Sequence, residues 1–355
     1  MSDDIIMGLG LGNSLLEGME KEGIKVTVFT KVTPNPTIDQ IEEALVAYKE
    51  SHCDHLIALG GGSVMDACKL VGARAVRPGT SIPGLRGPFG VLGVLRKLPT
   101  LVAIPTTAGT GSEATIAAVV CSPETHEKYA IMDPVLIPQY AVLDPVLTVG
   151  LPKFITATTG VDTLTHAIES YINLKHVAQT KRDGLKTVSL VFKYLKRAYD
   201  NGNDLVAREN MQEAAYLGGL AFTRAYVGNV HALAHVLGAY YDIPHGYANA
   251  IILPHVLEKY GTAIYPSLSD LAIAAGISGT SAADRAVKFI RAVKRLNADL
   301  NIPETLANDP KYQIQDEHIP AMVRHALREA NPLYAVPVIF GEEEMTEILK
   351  KVQCK

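Results

Sequence analysis

A chain of 355 residues with 48% hydrophobic and 20% charged residues has enough apolar surface for two cores and is not an intrinsically disordered protein. Its formal net charge of −4 gives no electrostatic reason to bind nucleic acid or an anionic membrane. Cys53, Cys68, Cys121 and Cys354 lack metal-type spacing, no apolar run reaches the ~18 residues of a membrane span, and the acidic start MSDD is unlike a signal peptide, so a reduced, cytoplasmic protein is expected.

In chain order, GLGLGNS (8–14) is glycine-rich but follows no strand and fits no nucleotide fingerprint, so it reads as a loop. KVTVFT (25–30) reads as a strand. TIDQIEEALVAYKESH (37–52) reads as a helix, with Thr37 as N-cap and Gln40 completing a capping box. HLIALG (55–60) is a buried strand and 63–75 a helix; TLVAIP (100–105) is a further strand. ATIAAVVC (114–121) and KYAIMD (128–133) read as a hairpin, and YAVLD (140–144) as another strand. This alternation predicts a largely parallel sheet with helices on its faces.

Near residue 150 the strands stop. Helical periodicity then runs over 153–173, 178–200, 204–225, 229–240, 247–260, 283–299, 317–330 and 341–351. The expected fold is an α/β domain over 1–150 followed by an all-helical domain over 151–355.

Two glycine-rich turns end predicted strands. In HLIALGGGSVMD, Gly60-Gly61-Gly62-Ser63 joins strand to helix. Glycines admit a phosphate close to the backbone, and the amides of a helix N-terminus favour its charge. In AIPTTAGTGSEAT, Thr106, Thr107 and Thr110 follow a second strand. Two such turns at carboxyl ends of strands point to a nucleotide site.

The apolar stretch NVHALAHVLGAYYDIPHG (229–246) carries His231 and His235 four apart, and His245 in a Pro-His-Gly turn. Upstream, GVDTLTHAIE (160–169) places Asp162 and His166 four apart. Residues at i and i+4 share a helix face. Two such pairs and a turn histidine can surround one divalent metal, iron or zinc. A lone histidine on an apolar helix is ordinarily structural; the coincidence of three patterns carries the metal reading. His52, His55, His126, His176, His255, His318 and His325 read as structural or surface residues.

Taken together, GGGSVMD (60–66), PTTAGTGSE (105–113), GVDTLTHAIE and HALAHVLGAYYDIPHG (231–246), with TPNPT (33–37), resemble the iron-containing (group III) alcohol dehydrogenase family in order and over nearly the whole chain. The resemblance implies a Rossmann-like nucleotide-binding domain, here lacking its first strand, and a helical metal-binding domain. It places the metal ligands on Asp162, His166, His231 and His245, and a proton-relaying catalytic histidine on His235. Cofactor contacts fall on Asn35, Gly61, Gly62, Ser63, Asp66, Thr106, Thr107, Thr110, Thr115 and Lys128. The implied cofactors are Fe2+, with Zn2+ or another divalent metal as substitute, and NAD or NADP. Asp3 matches the family acid that contacts the adenosine ribose; a carboxylate there favours NAD, though with no strand to hold it Asp3 is expected to be mobile. A homodimer is expected, so far as the N-terminus permits.

The implied reaction is hydride transfer between a primary or small secondary alcohol and the nicotinamide, with the metal as Lewis acid on the substrate oxygen. Phe222 matches a substrate-pocket position. Arg224 precedes His231 by seven residues on the predicted helix, so it is expected to face the same way and receive a polar substrate group. The alternatives are a dehydroquinate-synthase-like NAD- and metal-dependent lyase, and an N-terminally truncated, inactive metal-binding remnant.

Overall fold

The computed structural model describes residues 1–86, 97–122, 128–307, 309 and 311–353, so His126 and Cys354 lie outside the described residues. The chain divides into two compact units: Met1–Thr107 with Gly111–Thr148, and Val149–Lys355 with Ala108–Thr110.

The first unit begins with two short helices, α1 (Asp4–Gly8) and α2 (Asn13–Lys21), joined by a turn that contains most of GLGLGNS. The helix α3 (Ile38–Glu50) starts at Thr37, whose hydroxyl accepts from the Gln40 amide while the Gln40 side chain returns to the Thr37 amide. This is the predicted capping box. Next come β1 (His55–Gly60), α4 (Gly62–Val76) and β2 (Thr100–Pro105). The antiparallel pair β3 (Ala117–Cys121) and β4 (Lys128–Met132) follows, then the two-residue β5 (Tyr140–Ala141).

β1, β2 and β5 form a parallel sheet in that order, with Leu59 opposite Ile104 and Val102 opposite Tyr140. Leu70, Val71, Ala103 and Ala118 are fully buried in the core of this unit. The fully buried Lys69 on α4 donates to both oxygens of Thr115 and to the Ala117 carbonyl, pinning the start of β3 to the helix.

Three expectations for this unit are corrected. KVTVFT is not a strand: residues 25–30 are extended without a ladder, and Val26 and Val28 are exposed. Its backbone contacts are a hydrogen bond from the Ser2 amide to the Phe29 carbonyl and, just beyond, a bridge between Asp3 and Lys31. β-branched alternation becomes a strand only where a neighbour satisfies the backbone. YAVLD likewise keeps only its first two residues in the sheet. Asp3, expected to be mobile, is anchored. Met1 and Ser2 bond along β1, from the Met1 amine to the Ile57 carbonyl (2.7 Å) and from the Leu59 amide to the Met1 carbonyl (3.0 Å). Asp3 Oδ1 then caps α1 by accepting from the Ile6 amide at 2.8 Å.

The second unit is helical: α5 (Lys153–Ile172), α6 (Ala178–Asp200), α7 (Leu205–Ala225), α8 (Asn229–Tyr241), α9 (His245–Tyr260), α10 (Tyr265–Ala274), α11 (Ala282–Asp299), α12 (Ile319–Ala330) and α13 (Glu342–Gln353). The sequence reading has no counterpart to α10, whose Pro266 resembles a breaker but sits in the first turn, where it is tolerated. α5 is buried on nearly every side, yet Asp162, Thr163, His166 and Glu169 are among its buried residues. Buried polar side chains on a core helix are what needs explaining. No helix among the described residues is long and apolar enough to cross a membrane.

Candidate metal centre and nucleotide-binding turns

Asp162 and His166 lie one turn apart on α5, His231 lies in the first turn of α8, and His245 is the first residue of α9, two positions earlier than the periodicity predicts. One ligand atom from each falls within 4.8 Å of the others. Asp162 Oδ1 is 3.9 Å from His166 Nε2, 3.9 Å from His231 Nε2 and 3.6 Å from His245 Nε2. Ligand atoms on a tetrahedral ion with bonds of about 2.1 Å stand roughly 3.4 Å apart. The site is close to that size.

The chemistry of the donors fits too. Burial is the main force lowering the basicity of His166 and His231, which favours the neutral rings whose lone pairs can bind a metal. His166 Nδ1 is buried without a hydrogen-bond partner of good geometry, although the Gly109 carbonyl is near enough to favour a protonated ring. Asp162, 2% exposed, is the one carboxylate of the set. A buried carboxylate among neutral imidazoles calls for a cation.

The structure adds two residues that sequence reasoning missed. Glu169 Oε2 accepts from His231 Nδ1 at 2.6 Å and from the Gly228 amide at 2.9 Å; Oε1 accepts from the Val230 amide at 2.8 Å. Burial pushes this carboxyl up to about 7 against the pull of those donors. Asn249 Nδ2 donates to Asp162 Oδ1 at 2.7 Å and lies 3.2 Å from both His231 Nε2 and His245 Nε2. Partners of this kind fix the orientation of metal ligands. Both were within reach of helical spacing, since Glu169 is three residues past His166 and Asn249 four past His245.

Gly246 lets α9 approach α5. A Cβ there would lie 2.4 Å from the Thr158 carbonyl oxygen. Gly246→Ala is therefore expected to displace His245 and cost on the order of 1–3 kcal/mol. Urea unfolding and metal titration of the variant check this; unchanged stability and affinity would contradict it.

His235, one turn beyond His231, stacks on His245 with ring centroids 5.0 Å apart. Its Nδ1 is 2.6 Å from Glu329 Oε1, which also accepts from the Tyr334 hydroxyl at 2.6 Å. Phe222 stacks on His166 at 4.2 Å, so this predicted pocket residue does border a donor. Arg224 is a correction. α7 ends at Ala225, Tyr226 turns the backbone with φ +66°, and α8 begins at Asn229. Arg224 and His231 are thus on different helices, the seven-residue spacing sets no common face, and Arg224 is exposed.

In the first unit, the two predicted turns adjoin one edge of the sheet. Gly61 caps α4, with Gly62 and Ser63 in its first turn. The Thr106 amide donates to the Gly60 carbonyl at 3.0 Å, tying the two strand ends together, and Thr107 lies beside Gly61. The Asn35 amide donates to Ser63 Oγ at 3.3 Å, and Asn35 Oδ1 accepts from Lys128 Nζ at 2.7 Å. Asp66 and Thr115 hold the scaffold: Asp66 accepts from Ser112 Oγ and the Val119 amide, and Thr115 from Lys69. Thr110 belongs to the second unit.

Burial raises the Glu113 carboxyl from 4.5 to about 7. The folded state therefore keeps a proton that the unfolded state releases, so stability present below pH 4.5 is lost as pH rises to about 7. Glu113→Gln is expected to remove that loss, worth up to about 3 kcal/mol. Urea midpoints at pH 5 and pH 8 measure it; equal pH slopes in the two proteins would refute it.

Two family models together match most of the chain. One, described as iron-containing alcohol dehydrogenase, covers residues 1–145; the other, the C-terminal part of the Fe-containing alcohol dehydrogenase family, covers residues 156–353. 1,3-Propanediol dehydrogenase of Klebsiella pneumoniae is 36% identical over 344 residues, 96% of this chain and 87% of that protein. Lactaldehyde reductase of Escherichia coli is 35% identical over 329 residues, 92% and 84% respectively. The crystal structure of a 1,3-propanediol oxidoreductase superposes with a TM-score of 0.93 at 34% identity, covering 99% of this chain and 90% of that one.

Proposed function

The chain belongs to the iron-containing alcohol dehydrogenase family, and on that premise we propose how its residues divide the work of the reaction. It is a metal-dependent alcohol dehydrogenase, and an aldehyde reductase in reverse. Such an enzyme takes a metal and a nicotinamide nucleotide. One observation carries the assignment of residues: a carboxylate and three imidazoles, drawn from three helices, converge within 4.8 Å.

We assign metal binding to Asp162, His166, His231 and His245. The one negative charge of the set suits a divalent ion, and Fe2+ is the metal we propose, with Zn2+ compatible with the same donors. When bound, the metal supplies Lewis acidity toward the substrate oxygen and the nicotinamide takes or gives the hydride. Glu169 and Asn249 orient His231 and Asp162. His235 is the proton relay at the substrate oxygen. Phe222, stacked on His166, narrows the room beside the donors and favours a short primary alcohol or diol. This agrees with the substrates named for the two relatives.

The turns 60–63 and 106–107 are proposed to hold the nucleotide, with the α4 amides toward its phosphates. The helix-capping role of Asp3 uses Oδ1 and leaves Oδ2 for a ribose hydroxyl, so we propose NAD over NADP. We also propose a homodimer and a cytoplasmic location; Cys53 and Cys68 are free thiols, in keeping with a reducing compartment.

The test is a fluorescence titration of the ferrous-loaded protein with NADH, made clean by the absence of tryptophan, followed by assay of NAD+ reduction with 1,3-propanediol and ethanol. Saturable binding with net NADH production is the expected result. Metal bound without nucleotide affinity would overturn the reading in favour of an inactive metal-binding protein. Nucleotide bound without net turnover would favour a lyase that regenerates its cofactor.

A further inference from the structure

We propose that Glu329 is the positioning residue of the proton-transfer step, fixing the proton of His235 on Nδ1 and so leaving Nε2 as the proton acceptor. This rests on the reading of His235 as the relay. Glu329 lies on α12 and His235 on α8, and the pair spans 94 residues of sequence. At 2.6 Å the contact is as short as charge-assisted hydrogen bonds are. Tyr334 donates its hydroxyl to the same Oε1 at 2.6 Å, so that oxygen is held by two donors and acts purely as an acceptor.

The other face of the arrangement is fixed as well. The His235 ring stacks on His245 with an interplanar angle of 20°. Ring plane and tautomer are thus set together. α8 uses the same device twice, four residues apart. The Nδ1 of His231 is held by a buried glutamate, and its Nε2 faces the metal donor set. The Nδ1 of His235 is held by Glu329, but His235 is not part of that set. A neutral imidazole with Nδ1 protonated has only Nε2 to accept with. When His235 takes a proton from the substrate hydroxyl, the ring becomes cationic with both nitrogens protonated, and the Glu329 carboxylate stabilises that charge without itself taking the proton. Tyr334 keeps the carboxylate from swinging away.

The experiment compares Glu329→Gln, Tyr334→Phe, His235→Ala and the double variant Glu329→Gln/His235→Ala. Each is loaded with metal and assayed by the single-turnover rate of NAD+ reduction, with NAD KM and metal content measured alongside. Glu329→Gln is expected to slow the step on the order of 100-fold, at the lower end of what general acid–base groups contribute. KM and metal content should change by less than about twofold, and Tyr334→Phe should have a smaller effect in the same direction. In the His235→Ala background Glu329→Gln should add nothing. The second readout needs no turnover. 15N shifts of the His235 ring in histidine-labelled, zinc-loaded protein should report protonated Nδ1 in the wild type and a tautomer mixture in Glu329→Gln.

Full-rate Glu329→Gln beside a slow His235→Ala would overturn the role of Glu329 alone. An equal penalty from Glu329→Gln with and without His235, or unchanged 15N shifts, would reduce Glu329 to a structural residue. Wild-type rate in His235→Ala would overturn the relay itself and this role with it.

Discussion

Replacing Asp162, a proposed metal ligand, with asparagine is expected to abolish tight metal binding. Asp162 is the one carboxylate among the four donors, and it is buried on a helix that is itself buried. Asparagine keeps the shape and an acceptor oxygen but loses the charge that offsets the cation's desolvation. Losing a mere outer partner weakens a metal site by about 10–100-fold, so losing this ligand should exceed the upper end of that range. Metal stabilises whatever folded state binds it. A wild-type gain of about 4 kcal/mol at a thousandfold excess over Kd would fall below about 2 kcal/mol if Kd rises 100-fold. Thermal unfolding with and without ferrous ion, beside metal analysis after dialysis, reads both effects. An undiminished metal-induced rise in Tm would show that the ion binds elsewhere.

The second large effect belongs to Glu169→Gln. Its carboxylate accepts from His231 Nδ1 and from the two amides of Gly228 and Val230 at the start of α8. A glutamine of the same size presents one oxygen and an NH2 group. It must turn a donor toward His231 or toward one of the amides. Each buried group left without a partner costs about 1–3 kcal/mol. Loss of the hold on His231 should lower metal affinity by a further 10–100-fold. The variant should therefore be less stable than wild type even without metal, as urea unfolding of the chelator-treated proteins would show. In this it differs from Asp162→Asn, whose main loss is in the metal-bound state. A variant with wild-type stability and affinity would mean that helix α8 is held by its packing alone.

Local chemistry was legible in the sequence. The capping box at Thr37, the strands HLIALG and TLVAIP, and most helices of the second unit follow from patterns within a few residues of one another. The grouping of Asp162 with His166 followed from helical spacing, as did that of His231 with His235. Glu169 and Asn249 were legible on the same rule, lying on the faces of His166 and His245. KVTVFT misled because alternation records a preference, whereas a strand needs a partner's backbone, and residues 25–30 have no ladder. Arg224 misled because its spacing to His231 was counted across the break between the periodicities 204–225 and 229–240, where Tyr226 adopts φ +66°, a turn rare for an aromatic residue.

What the sequence by itself determined about this protein is its change from strands to helices near residue 150, its glycine-rich strand ends and the four donor residues that the fold brings within 4.8 Å of one another. These are set by periodicity, side-chain chemistry and short-range geometry. What only the tertiary structure decided is which of those residues meet. Glu329 reaches His235 from 94 positions away, and Asn249 reaches Asp162 across 87. Such contacts are made by the packing of helices whose order in the chain says nothing of their order in space. The physical reason is that hydrogen bonds this short demand placement to a fraction of an ångström, and only the close-packed core fixes side chains that finely.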